Sequence, residues 1–140
     1  MLKFLLCLIL LFQTQEIVVK QELPKQATVQ TEGFVTFEQG WEQHKKDNSP
    51  VVVIITTKTC PHCVTMKNTL LSVKKEYPDI VLSEITYDQA KKLWPSAIKD
   101  NRVPQTFMYA WDSEENKRTS FPMIIGSAKK ERVYEIWKIK

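Results

Sequence analysis

Hydrophobic residues follow two rhythms along this chain. At 51–55 they run without a break, Val51-Val52-Val53-Ile54-Ile55, all β-branched, the pattern of a strand covered on both faces. From Cys63 the spacing changes to threes and fours. Cys63, Met66, Leu70, Val73 and Tyr77 share one side of a helix predicted over 60–76, and Pro78 stops it. Upstream, Phe34, Val35 and Phe37 predict a short strand and 41–46 a polar helix, closed by the breaker cluster Asp47-Asn48-Ser49-Pro50. Downstream, 80–87 reads as a strand, 88–92 as a helix that Pro95 interrupts, and 105–111 as a strand. A polar turn over 112–117, a last strand over 121–125 and a last helix over 128–138 complete the pattern, with Val133, Ile136 and Trp137 turned inward. The order β-α-β-α-β-α-β-β-α, without internal repeat, predicts an α/β fold in which a central mixed sheet carries helices on both faces.

The first residues follow neither rhythm. Lys3 gives a short positive start, 4–12 is an unbroken apolar run, and Gln13, Thr14, Gln15 and Glu16 end it, which is the shape of a secretory signal. Nine apolar residues rise only roughly 14 Å as a helix, about half a bilayer core, so no stable membrane span is expected. No small-x-small cleavage site follows the run. Residues 1–15 are therefore expected to be a signal peptide or short N-terminal leader, 16–33, rich in Gln, Thr, Glu and Lys, a linker, and 34–140 the domain. The expected location is outside the cytosol: periplasmic, secreted or in a secretory lumen. With 43% hydrophobic residues in 140, the chain has material for one domain with a real core. The net charge of +4 is dispersed, and the Lys-Lys pairs starting at 45, 74, 91 and 129 stand apart, so no nucleic-acid partner is expected.

Cys7 lies in the leader, which leaves Cys60 and Cys63. An even count suits an oxidising compartment, although a cytosolic redox protein also shows a close pair. Cys60 falls where a strand gives way to a helix, so its sulfur is expected at the helix N-terminus, where unbonded N–H groups and the helix dipole favour a thiolate. Pro61 suits the first turn because its missing N–H is not needed there, and Cys63 is close enough across that turn to close a disulfide with Cys60. The more exposed Cys60 is expected to attack a substrate disulfide; Cys63 then attacks Cys60 and releases the partner. His62 is expected to donate to the Cys60 thiolate, making the reduced form more stable and the pair more oxidising, or else simply to face solvent. A zinc site would need more ligands, and the only other histidine, His44, falls in a different predicted helix, so neither metal nor organic cofactor is expected.

The succession of strand, Cys60-Pro61-His62-Cys63, helix, and then Arg102-Val103-Pro104-Gln105-Thr106 before the next strand resembles the thioredoxin superfamily over about residues 34–140. The resemblance implies a thioredoxin-like fold, disulfide exchange with protein thiols and disulfides through a redox-active Cys60–Cys63 pair, and a further redox partner for recycling. It also implies that Pro104 is the family's cis-proline, with the backbone of Val103 open to an extended substrate segment, and that Gly126 lines the same groove. Forty residues separate Cys63 from Pro104, too few for the inserted helical domain of the periplasmic oxidases that share the Cys-Pro-His-Cys sequence. Val103-Pro104-Gln105-Thr106-Phe107 is also similar to the glutaredoxin pattern, although the glycine pair and acidic residue that hold glutathione have no counterpart around Gly126-Ser127. Thr59 stands where thioredoxins carry a tryptophan, and Ile54 where they bury the aspartate that takes the proton of the inner cysteine. Glu84 stands where the family usually has a lysine; it is expected either to be a solvent-facing or edge glutamate, or to replace the missing acid as proton acceptor. A glutathione-linked reductase and a non-catalytic peptide-binding module with a static disulfide are the alternative functions.

Overall fold

A computed structural model of the protein describes residues 32–98 and 100–139; the leader with Cys7, and nearly all of the linker, lie outside them. The strands are β1 (Val35–Thr36), β2 (Val51–Thr56), β3 (Val81–Thr86), β4 (Gln105–Asp112), β5 (Lys117–Ser120) and β6 (Ile124–Ile125). The helices are α1 (Phe37–Asp47), α2 (Pro61–Glu76), α3 (Tyr87–Leu93) and α4 (Lys130–Trp137).

A run of β-branched residues can be buried on both faces only at the centre of a layered structure. That is where β2 lies: all six of its residues are buried, and it pairs parallel with β3 on one side and antiparallel with β4 on the other. The sheet is mixed, in the order β1-β3-β2-β4-β5, with β6 paired to β4. Alternate residues of β2 feed two cores. Val52 and Ile54 pack with Met66, Leu70 and Val73 of α2 and with Val133 and Trp137 of α4. Val51, Val53 and Ile55 pack on the opposite face with Ala90 of α3, joined by Phe37 and Trp41 of α1.

Three expectations are corrected. Phe37 is not in the first strand but opens α1, because Thr36 caps the helix: its hydroxyl accepts the Gln39 N–H while the Gln39 side chain accepts the Thr36 N–H. The same reciprocal box, Thr86 with Gln89, turns β3 directly into α3. The predicted last strand over 121–125 shrinks to its last two residues. Pro122 has no N–H to give to β4, so only Ile124 and Ile125 pair as β6. The predicted polar turn over 112–117 shortens, since Asp112 pairs with Lys117 and β5 continues to Ser120. Its exposed Lys-Arg-Thr-Ser sequence carries no apolar alternation, as an edge strand need not.

Arg118 of β5 anchors that edge. Its guanidinium lies 4.8 Å from the centre of the Trp41 ring, and its Nε donates to Nε2 of fully buried His44 at 2.7 Å. Because arginine only donates, His44 Nδ1 carries the proton and donates to the Ser49 carbonyl at 2.6 Å. His44 is thus held in one tautomer as a structural residue.

Candidate functional site

Cys60 is the N-cap of α2, and its Sγ accepts the Cys63 N–H at 3.1 Å. The sulfur takes the place of the oxygen in an ordinary cap, where the first N–H groups of a helix lack partners in the preceding turn. Pro61 follows as the first helical residue, where it costs no hydrogen bond. Cys60 and Cys63 are joined by a disulfide with their Cα atoms 5.2 Å apart. Cys60 is partly exposed and Cys63 is buried, so an incoming sulfur meets Cys60 first. His62 is exposed beside them on the first turn of α2, whose opening turn contains no acidic residue.

Sheet register brings the second motif to the same end of the molecule. Gln105 pairs with Ile55, so Pro104 comes opposite the last residue of β2, four positions before Cys60. The Val103-Pro104 peptide is cis, Pro104 is buried and Val103 is half-buried. The Pro104 carbonyl accepts the Gly126 N–H at 2.8 Å, which closes β6 against this loop. Gly126 has a φ of +86°, and a Cβ there would meet nothing within 4 Å; backbone conformation rather than crowding favours glycine, and the space over it is open. Val64, which follows Cys63, is an exposed apolar side chain, as are Met123 and Ile125, the latter paired in register with Gln105.

Glu84 is neither solvent-facing nor on an edge. β3 lies between β1 and β2, Glu84 pairs in register with Ile54, and its side chain is 17% exposed. Its Oε1 accepts from the Thr56 hydroxyl at 2.8 Å and from Lys67 Nζ at 2.5 Å. Lys67 is on α2, four residues after Cys63 and therefore on the same side of the helix one turn further. Thr56 and Lys67 are site residues that sequence reasoning missed. Gln105 is another: buried, it donates from Nε2 to the carbonyls of Asp100 at 3.0 Å and Arg102 at 2.8 Å, bracing the loop that delivers Pro104. A glutamine straight after Pro104, opening a mostly apolar strand, was the signal for it. Among the described residues, no group of three His, Cys, Asp or Glu is placed to hold a metal ion, and no helix is long and apolar enough to cross a membrane.

Comparison with solved structures identifies the architecture. Chloroplastic thioredoxin z aligns at a TM-score of 0.59 and 15% identity, over 79% of this chain and 95% of its own. A thioredoxin from Thermus thermophilus aligns at 0.59 and 13%, over 75% and 83%. Trichomonas vaginalis thioredoxin aligns at 0.55 and 17%, over 76% and 94%. The chain has the thioredoxin fold. No family model and no curated protein matches its sequence.

Proposed function

We propose that this protein is a thiol–disulfide oxidoreductase that exchanges disulfides with protein substrates through Cys60 and Cys63. The observation that carries this reading is a cysteine at the cap of α2, bonded to a buried second cysteine one turn on. In the reduced form the Cys60 thiolate attacks a substrate disulfide, forming one S–S bond to the partner while the partner's other sulfur leaves with the electron pair. Cys63 loses its proton and attacks Cys60 Sγ; the Cys60–Cys63 bond forms, and the partner departs as a dithiol, reduced by two electrons. The reverse sequence oxidises a substrate. His62 tunes the Cys60 thiolate, Val103, Pro104 and Gly126 form the groove for an extended segment, and Glu84 takes the Cys63 proton. Export, supported by the apolar leader, places this exchange in a periplasm, secretory lumen or extracellular space.

Cysteine replacement tests the assignment. Cys60→Ser abolishes turnover, whereas Cys63→Ser leaves Cys60 able to capture substrates but unable to release them, so protein partners accumulate as mixed disulfides on non-reducing gels. Equal trapping by both variants overturns the division of roles. Trapping of glutathione alone replaces the protein substrate with a small thiol.

A further inference from the structure

The loop that delivers Pro104 satisfies its own backbone groups with one exception. The Arg102 N–H donates to the Asp100 carboxylate at 2.8 Å, and the Arg102 carbonyl accepts from Gln105 Nε2 at 2.8 Å. Pro104 has no N–H, and its carbonyl accepts the Gly126 N–H at 2.8 Å. Between them, Val103 keeps both its N–H and its C=O without a partner among the described residues. The Val103 side chain packs against the core that holds Ile55 and Ala90, so the residue is anchored while its polar backbone groups stay open. A free N–H and C=O on one half-buried residue are what a single residue of an antiparallel strand satisfies, by exchanging both bonds with it.

We propose that Gln105 is the positioning residue that keeps Val103 open, and that it thereby restricts the substrate to an extended segment meeting Val103 with one residue that has a free N–H. The proposal rests on the groove reading above. The β-turn acceptor for the Val103 N–H is the Asp100 carbonyl, three residues back. Gln105, only 2% exposed, donates to that same carbonyl at 3.0 Å, using one hydrogen of its amide there and the other on Arg102. The loop is therefore braced from β4 and does not close on itself. Gln105 pairs in the sheet with Ile55 of β2 and Ile125 of β6, so the brace starts from the centre of the molecule. Without it two carbonyls lose their donor, and a turn bond from Val103 to Asp100 competes with the substrate. A segment whose residue opposite Val103 lacks an N–H, as proline does, forfeits one of the two bonds.

The test uses the reduced full chain and a short cysteine peptide carrying thionitrobenzoate on its sulfur, whose release on capture by Cys60 is followed by absorbance. The peptide is methylated in turn at each backbone nitrogen around its cysteine, and hydroxyethyl disulfide, which has no peptide backbone, is the reference. In the wild type, methylation at one position is expected to slow capture about three- to tenfold, the contribution of one hydrogen bond, and methylation elsewhere to change little. Gln105→Met raises the half-saturating peptide concentration by about the same factor, keeps the limiting rate relative to the reference disulfide, and loses the penalty for methylation at that position. Gln105→Leu carries the same expectation if the methionine variant does not fold. Folded Gln105→Met with the wild-type half-saturation and methylation profile overturns the proposal while leaving the dithiol mechanism standing. Equal slowing with the peptide and the reference disulfide does the same, as does a wild type indifferent to methylation at every position. Failure of the reduced wild type to react with either disulfide overturns both.

Discussion

At Cys60 a sulfur occupies the site that serine or aspartate oxygens prefer, and the consequence lies in its charge. The unbonded N–H groups and positive end of α2 favour a thiolate there, and no acidic side chain in the first turn opposes it. His62, exposed on that turn, can add one donor. Replacing it with alanine is expected to cost one to two pKa units at Cys60, about 1.4 kcal/mol of thiolate stabilisation each, which lowers the potential by roughly 30 to 60 mV. Thiolate absorbance against pH and equilibration with glutathione check both halves, and if neither moves His62 is a surface residue only. A second residue-scale expectation concerns Thr106, whose fully buried hydroxyl has no hydrogen-bond partner among the described residues. Thr106→Val removes an unsatisfied polar group at nearly constant shape, so the oxidised protein gains about 1 kcal/mol in denaturant unfolding. Cys60, His62 and Cys63 were legible as candidates from their own chemistry and spacing, and Pro104 and Gly126 only through the family resemblance. Lys67 and Thr56 were not, since a lysine on a helix or a threonine ending a strand is ordinary until its partner in space is known.

Among the elements, α2 is held to α4 at its far end from the cysteines. Glu76 accepts from Lys130 and, at 2.6 Å, from the Tyr134 hydroxyl. The Lys130 hydrogen bond first, and Tyr134 second, hold the Glu76 carboxyl below the usual carboxylate range, while burial and then Glu76 push the Tyr134 phenol above its own. A carboxyl with a lowered native pKa contributes stability that is fully present above its unfolded value and is lost as pH falls through the native one. Glu76→Gln should therefore lower the melting temperature slightly at pH 7, less in high salt because the group is accessible, and the difference from wild type should close in acid, below the ordinary carboxylate range. A difference that persists in acid assigns the effect to packing. Long elements were legible because β2 and α2 each carry a clean period. The errors sit where short-range chemistry overrides it: Thr36 and Gln39 cap a helix inside an apparent strand, and Pro122 shortens another. Both signals, a Thr-x-x-Gln box and a proline, were present in the sequence but were outweighed by neighbouring aromatic and β-branched residues.

For the whole molecule, the layered plan followed from alternating elements, but the site depends on register, which no local pattern encodes. Pairing of Ile54 with Glu84 on one side and Thr106 on the other sets which groups lie beneath α2, and it is fixed by the two cores together. The edge strand β5 was missed because its polar face suits solvent, although Arg118 ties it to α1 through Trp41 and His44. The disulfide has a further meaning at this scale. It joins residues only three apart, so opening it releases one turn of chain and restores little freedom to the unfolded state, about 2 kcal/mol against about 5 for a hundred-residue loop. It is therefore a poor staple, and the sheet and its two cores do not depend on it to stay assembled. On the proposed mechanism the bond is therefore cargo on a stationary platform, handed over and taken back many times while the carrier keeps its shape.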